Sequence, residues 1–322
     1  MNLKELYRFI IEKGIETDPR KKNTIARMLA SVKEKYSKLT EEEKSEFDID
    51  KLDNPYSDSR ILYSTGNENI KSILIGIDIE TPELLLAHTL KQSGRKIDLV
   101  LAHHPEGRAY ATLYDVMNIH SDVLHKFGVP INIAESITEP RLKEVSRRLM
   151  PANHSRPVDT ARLLNIPFMS AHTPADNHVT HYLQSLFDKE QCNLEKLDDV
   201  IKLLKQIPEY KMAVRNSQGP VIIAGSKDRK PGKILVDMTG GTEGPADAIE
   251  KLANAGVGTI VGMHMSEEHY KLAEKYHVNV IIAGHISSDT VGLNLLLDKV
   301  EHKFGKLDII ECSGFTRIKR NK

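Results

Sequence analysis

Leu99-Val100-Leu101-Ala102-His103-His104-Pro105 is an apolar run that ends in two adjacent histidines and a proline. Four consecutive apolar residues read as a strand buried on both faces, the pattern of a parallel sheet. Proline cannot continue a ladder, so the strand stops at the histidines. Neighbouring side chains on a strand point to opposite faces. Two adjacent histidines therefore serve one site only where a strand ends, which is where open α/β sheets place their ligands. Three later stretches have related form: His172-Thr173-Pro174-Ala175-Asp176, Met263-His264-Met265 and Gly284-His285-Ile286-Ser287-Ser288-Asp289.

Outward from this strand, residues 70–170 alternate between two periods. Strands are predicted over 72–77, 98–102, 129–134 and 166–170, the last leading to His172. Helices are predicted from Thr81 through Leu90, over 114–127 and 141–149, and near 160–164. Alternating strand and helix predicts a mostly parallel sheet covered on both faces. Residues 1–60 read as a helical N-terminal extension, with Asp18-Pro19 as an N-cap and first-turn pair and Thr40-Glu41-Glu42-Glu43 as a capping box. Residues 177–230 read as an insertion. It carries helices over 183–186 and 197–207, a hairpin pairing 211–214 with 221–225, and a solvated turn over 226–232.

The last ninety residues repeat the first pattern. Residues 73–104 align without a gap on 234–265, with Ile, Leu, Thr, Ala, Val and His recurring at the same offsets and His264 on His103. Residues 125–136 match 274–285, which sets Ser136 where His285 stands. The fold class expected is α/β, two related domains from an internal duplication, with mostly parallel sheets flanked by helices and the extra N-terminal helices. The limits are 1–60, 61–176 for the first half, 177–230 for the insertion and 231–322 for the second half.

Composition narrows the function. Lysine plus arginine equals aspartate plus glutamate, 45 each, so no net field draws nucleic acid or an anionic membrane. No apolar run reaches the about 20 residues of a membrane span. Met1-Asn2-Leu3-Lys4-Glu5 has charge where a signal peptide becomes apolar, so a cytoplasmic protein is expected. Cys192 and Cys312 lie far apart, which excludes a thiolate zinc site.

The candidate metal ligands are His103, His104, Asp176, His285 and Asp289. Spacing i, i+4 sets His285 and Asp289 on one helix face. His172 stands beside Asp176 as an outer-sphere partner. Taken singly, each pair has a plain structural explanation as turn histidines or helix-start caps. Together, three strand-end motifs supply a mixed nitrogen and oxygen set that suits Zn, Fe, Mn or Ni. Two divalent ions about 3.5–4 Å apart would activate a water at neutral pH. Glu267, Glu268 and Glu106 are candidate proton-moving carboxylates, and His264 is open as ligand, proton shuttle or remnant of duplication.

The order HHP, SAHTPAD and AGHISSD, with the opening Ile75-Gly76-Ile77-Asp78 to Ala87, resembles the NGG-one-interacting factor-three-like (NIF3-like) family, also called dinuclear-metal-centre or type 2 GTP cyclohydrolase-like. The likeness covers roughly residues 70–136, 165–176 and 233–312. The family's adjacent histidines match His103 and His104, and the aspartate of its HTxxD motif matches Asp176. Its closing His-x-x-x-Glu matches His285 and Asp289, one methylene shorter. Its Gly-Glu and downstream histidine match Gly262 to His269 only loosely. The resemblance implies two related α/β domains, a divalent pair in the cleft between them, and a ring-shaped homohexamer. The expected function is a metal-dependent hydrolase of a small nucleotide or phosphoester. The alternative is a non-catalytic, metal-stabilised regulatory or partner-binding protein, suggested by the N-terminal helices and the family's name.

Overall fold

The computed structural model describes residues 1–320. Helices α1 (Leu3–Thr17), α2 (Lys22–Ser37) and α3 (Glu41–Glu46) come first. Asn2 and Thr40 start α1 and α3 with complete capping boxes. Then follow β1 (Ile61–Tyr63), β2 (Ser72–Gly76), α4 (Thr81–Gln92), β3 (Leu99–Ala102), α5 (Gly107–Ala111), α6 (Ile119–Lys126), α7 (Ile131–Leu149), α8 (Arg156–Leu163), β4 (Phe168–Ser170) and α9 (Thr173–Glu190). The remainder is α10 (Leu197–Leu204), α11 (Pro208–Arg215), β5 (Val221–Ala224), β6 (Lys233–Asp237), α12 (Ala248–Asn254), β7 (Val257–Gly262), α13 (Glu267–Lys275), β8 (Asn279–Ile282), α14 (His285–Phe304) and β9 (Asp308–Glu311).

Two sheets result, ordered β1-β4-β3-β2-β9 and β5-β8-β7-β6. In each, the inner strands are parallel and the first edge strand is antiparallel. Strands β1 to β4 with α9 thus correspond in order and direction to β5 to β8 with α14. This is the expected pair of related α/β halves. Strands β2 and β3 are buried along their whole length, which explains their unbroken apolar runs.

The two helices that follow β4 and β8 pack against each other. A Cβ added at Gly292 of α14 would lie 2.8 Å from the carbonyl carbon of Ala175 in α9, so only glycine permits this approach. Helix α1 lies on the start of α9, with Gly14 against Pro174. The N-terminal helices therefore brace the segment that carries Asp176.

Several local expectations are corrected. Residues 129–134 form no strand: Gly128 turns at φ 111° and α7 begins at Ile131. Ala134, Thr138, Val145 and Leu149 make its buried face, at helical spacing, and the helix predicted over 141–149 is its second half. The matching turn in the other half, at His277, leads instead into β8. Ser136 is consequently a residue inside α7, and β4 is the counterpart of β8. The ladder also shifts the repeat by one residue. Gly76 pairs with Ala102 where Asp237 pairs with Gly262, so His264 corresponds to His104 rather than His103.

The hairpin over 211–225 is absent. Residues 208–215 are helix α11, and β5 pairs with β8 as the second sheet's edge. Helix α9 runs across residue 176, the expected end of the first half. Asp18 closes α1 instead of opening α2. Its carboxylate accepts from Arg20 Nη2 and the Tyr56 hydroxyl, both at 2.8 Å. The polar stretch 226–232 is an irregular loop, exposed over residues 225–230.

Candidate metal centre

His103 and His104 follow the last residue of β3, where the main chain is still held by β2: their N–H groups donate to Gly76 O and Ile77 O. Asp176 lies in the first turn of α9 and Asp289 in the second turn of α14. Gly284, at φ 113°, makes the turn from β8 into α14 that L-residues resist. All five predicted ligands meet at the carboxyl ends of β3, β4 and β8.

Buried carboxylates and imidazoles alternate around this centre. His103 Nε2 is 3.3 Å from Asp176 Oδ1 and 3.4 Å from Asp289 Oδ1. The other Asp289 oxygen lies 3.5 Å from His104 Nε2 and 3.7 Å from His285 Nε2. Asp289 thus faces one group with each oxygen, despite being a methylene shorter than glutamate. His172 joins them. Its Nε2 is 3.5 Å from Asp176 Oδ2, and its ring centroid is 4.9 Å from that of His103. Expected only as an outer partner, it completes a His103, His104, His172 group beside the groups His104, His285, Asp289 and His103, Asp176, Asp289.

These residues suit a cation. Both ring nitrogens of His103, both oxygens of Asp289 and Asp176 Oδ1 are buried without a hydrogen-bond partner. Buried polar groups without partners are costly and uncommon. Separations of 3.3–3.7 Å exceed a good N–H···O bond. They match instead the edge of a coordination polyhedron whose ligands stand about 2.0–2.2 Å from one ion. Charge tells the same story. Burial opposes a proton on His103, but Asp289 and Asp176 outweigh it and push the imidazole up to about 10. For His104, Asp289 and Asp78 overcome burial and raise it to about 9. The Asp289 carboxyl is held far below the usual range, burial being outweighed by His103 and its neighbours. The protein has concentrated negative charge here that something positive must answer.

Two aspartates orient the rings, and sequence reasoning does not single them out as site residues. Asp78 Oδ1 lies 2.6 Å from His104 Nδ1, and fully buried Asp58 lies 2.9 Å from His172 Nδ1. Asp58 also accepts from the Thr173 hydroxyl at 2.6 Å, and His172 occupies the N-cap position of α9. Each Nδ1–H is given to a carboxylate, which leaves Nε2 bare toward the centre. Their only sequence signal is position: Asp78 follows β2 and Asp58 precedes β1.

The predicted proton-moving residues separate. Glu267 and Glu268 are exposed on the first turn of α13, which Ser266 caps, and Glu267 pairs with Lys271 instead. Neither lines the cleft. His264 does line it, exposed, its ring 5.0 Å from that of His285. Glu106 is half-buried two residues beyond His104. Burial, Glu80 and Asp78 raise its carboxyl to about 7.

A narrow cleft of about 70 Å³ opens beside the centre, walled by His172, Asp176 and His285 at one end and by the loop after β6. That loop is tied to α9: the Thr239 hydroxyl donates to Asn177 Oδ1 at 2.7 Å.

No protein-family model matches the sequence, and no curated protein matches it. Among solved structures, a NIF3 superfamily protein from Sphaerobacter thermophilus is similar with a TM-score of 0.71 and 29% identity, over 80% of this chain and 92% of that one. Reduced HcgD from Methanocaldococcus jannaschii matches at 16% identity and a TM-score of 0.48, over 79% and 87% of the two chains. A protein from Thermus thermophilus matches at 16% and 0.42, over 76% and 84%. Among the described residues, no helix is long and apolar enough to cross a membrane.

Proposed function

We propose that this chain, similar in fold to a NIF3 superfamily protein, binds two divalent metal ions and is a metal-dependent hydrolase of a small nucleotide or phosphoester, in the manner of a type 2 GTP cyclohydrolase. One observation carries the reading: buried Asp289 directs its two oxygens at two different sets of imidazoles. In this proposal His103, His104, Asp176, His285 and Asp289 would hold the ions. His172 adds a further nitrogen. The set of donors, nitrogen and carboxylate without thiolate, favours Zn, Fe, Mn or Ni.

A metal pair bound there supplies Lewis acidity and lowers the pKa of a coordinated water toward about 7. The chain's own residues do the rest. Asp78 and Asp58 fix the rings of His104 and His172. Helices α9 and α14, packed through Gly292, fix the distance between Asp176 and Asp289. Glu106, half-buried two residues beyond His104, is the carboxylate this proposal assigns to take or return a proton, a role that the exposed positions of Glu267 and Glu268 do not favour. His264 faces the cleft and can hold a substrate group or relay a proton. Assembly as a homo-oligomer, six-membered by resemblance, belongs to the same proposal and is read by light scattering.

The test is elemental analysis of the purified protein beside a His103→Ala, Asp289→Ala double variant, followed by a screen on GTP and phosphodiesters. About two metals per chain, lost in the variant, with turnover that follows metal content, support the reading. Fully metallated protein that turns over nothing on the panel overturns the hydrolase part and favours a regulatory protein.

A further inference from the structure

Away from the metal centre, the N-terminal extension carries a groove of its own. It lies between α1, the short helical turn at Ile49–Leu52 and the start of β1, and its volume is about 740 Å³, against about 70 Å³ for the cleft beside the centre. Ligand pockets commonly measure about 300–1,000 Å³. Along α1 the groove is lined by Lys4, Arg8, Ile11 and Ile15, whose spacing i, i+4, i+7, i+11 makes one stripe of the helix. The stripe is cationic toward the start of α1 and apolar toward its end. Ile49 and Ile61 line the same groove, and Ile49 is 54% exposed, a large apolar side chain left in solvent.

The charges around this groove do not balance. Each acid that lines it already has a cation: Glu12 has Lys13 at 3.2 Å, Asp50 has Arg108 at 2.5 Å and Asp53 has Lys33 at 2.7 Å. Lys4 and Arg8 are exposed and have no ion-pair partner among the described residues. Both also line an adjoining groove with Gly66 and Asn67, so they stand where the two meet. The floor is fixed as well. The Tyr7 hydroxyl donates to Ser59 O at 3.2 Å, and Asn54 Nδ2 donates to that hydroxyl at 2.7 Å and to Ser59 O at 2.8 Å. Tyr7 and Asn54 are buried and line the groove. A site already formed before its ligand arrives loses less affinity to ordering.

We propose that this groove binds an amphiphilic anion, a linear apolar chain ending in a carboxylate. The carboxylate sits at Lys4 and Arg8, and the chain lies along Ile11, Ile15, Ile49 and Ile61. The proposal stands apart from the metal-centre reading. Lys4 and Ile15 are about 16 Å apart along the helix, the length of an extended alkyl chain of about twelve carbons. An anionic head answers the two unpaired cations, whereas a cationic head meets like charge. Burial of the chain against the isoleucines makes affinity grow with chain length.

The experiment is isothermal titration of the full chain with dodecanoate below its micelle-forming concentration, beside hexanoate and dodecyltrimethylammonium. About one dodecanoate should bind per chain, with hexanoate weaker by more than about a hundredfold. Dodecyltrimethylammonium should be weaker by about tenfold or more. A Lys4→Glu, Arg8→Glu double variant should weaken dodecanoate by about tenfold, and Ile49→Asp by about fivefold. All three positions are exposed, so both variants should keep the parent's melting temperature. Absence of dodecanoate binding overturns the proposal, and so does equal binding of the cationic amphiphile or an affinity unchanged in both variants. Two further results overturn it by naming another occupant. An oligomer that the double variant dissociates, with no dodecanoate bound, assigns the groove to a second copy of the chain. Binding to phosphatidylglycerol vesicles without binding of monomeric dodecanoate assigns it to a membrane surface.

Discussion

Gly292→Ala tests the joint that sets the geometry of the centre. In a solvated helix this change stabilises by about 0.5–1 kcal/mol, because alanine loses less backbone entropy. Here the new Cβ would stand 2.8 Å from Ala175 C, 3.5 Å from its Cα, and closer still to its carbonyl oxygen. Non-bonded carbons rest about 3.5–4.0 Å apart, so α9 and α14 must separate by about 1 Å. Overpacking of this kind costs about 1–3 kcal/mol, and the net expectation is a loss of about 1–2 kcal/mol. The site should suffer more than the fold. Asp176 directly follows Ala175 and Asp289 is one turn from Gly292, so the same displacement opens the gaps around His103. Metal affinity should fall by about tenfold or more, as for loss of a supporting contact. Urea denaturation of the metal-free protein gives the first number, and competition with a chelating indicator gives the second. A variant as stable as the parent or more so, with unchanged metal affinity, would refute the reasoning that a backbone-to-backbone contact sets this site.

Three further outcomes are expected. Asp289→Asn removes a carboxylate that faces both groups of imidazoles, so bound metal should fall to less than half of the parent's content by elemental analysis. Asp58→Asn touches no proposed ion but frees the His172 ring, and should weaken metal binding by about 10–100-fold in the same chelator competition. Asp48 answers buried Arg60 at 2.9 Å, and that guanidinium outweighs burial to hold its carboxyl below the usual value. A depressed carboxyl contributes stability that is present above its unfolded pKa and lost as pH falls through the folded one. Asp48→Asn should cost about 1–2 kcal/mol at pH 7, because Asp50 at 3.5 Å still answers Arg60, and the deficit should shrink toward pH 3 in urea melts at the two pH values.

How much of this was legible in the sequence depends on the range of the interaction responsible. The strand before His103 showed itself because burial on both faces demands an unbroken apolar run, and Pro105 marked its end. His285 and Asp289 were found by the helical spacing i, i+4. The stretch 129–134 misled because a short apolar run fits a strand or the buried face of a helix equally. There the packing of α7 decided, and with it the place of Ser136. Asp58 and Asp78 gave no signal beyond their positions next to strands, being loop aspartates whose partners lie 114 and 26 residues away. Glu267 and Glu268 are near His264 in sequence, but a capped helix start turns them to solvent.

The sequence by itself determined the α/β class, the repeated order of strands and helices, and the identity of the five ligand candidates, because periodicity and turn chemistry act over a few residues. The tertiary structure alone decided that those five converge, that His172 joins them, and that Asp289 faces two groups at once. It also decided that a cleft opens beside them and that His264 lines it. Those outcomes depend on how closely α9 and α14 approach, and on how the loop after β6 is pinned. Such distances are set by contacts between segments far apart in sequence, Gly292 with Ala175 and Thr239 with Asn177 among them, where no local pattern records them.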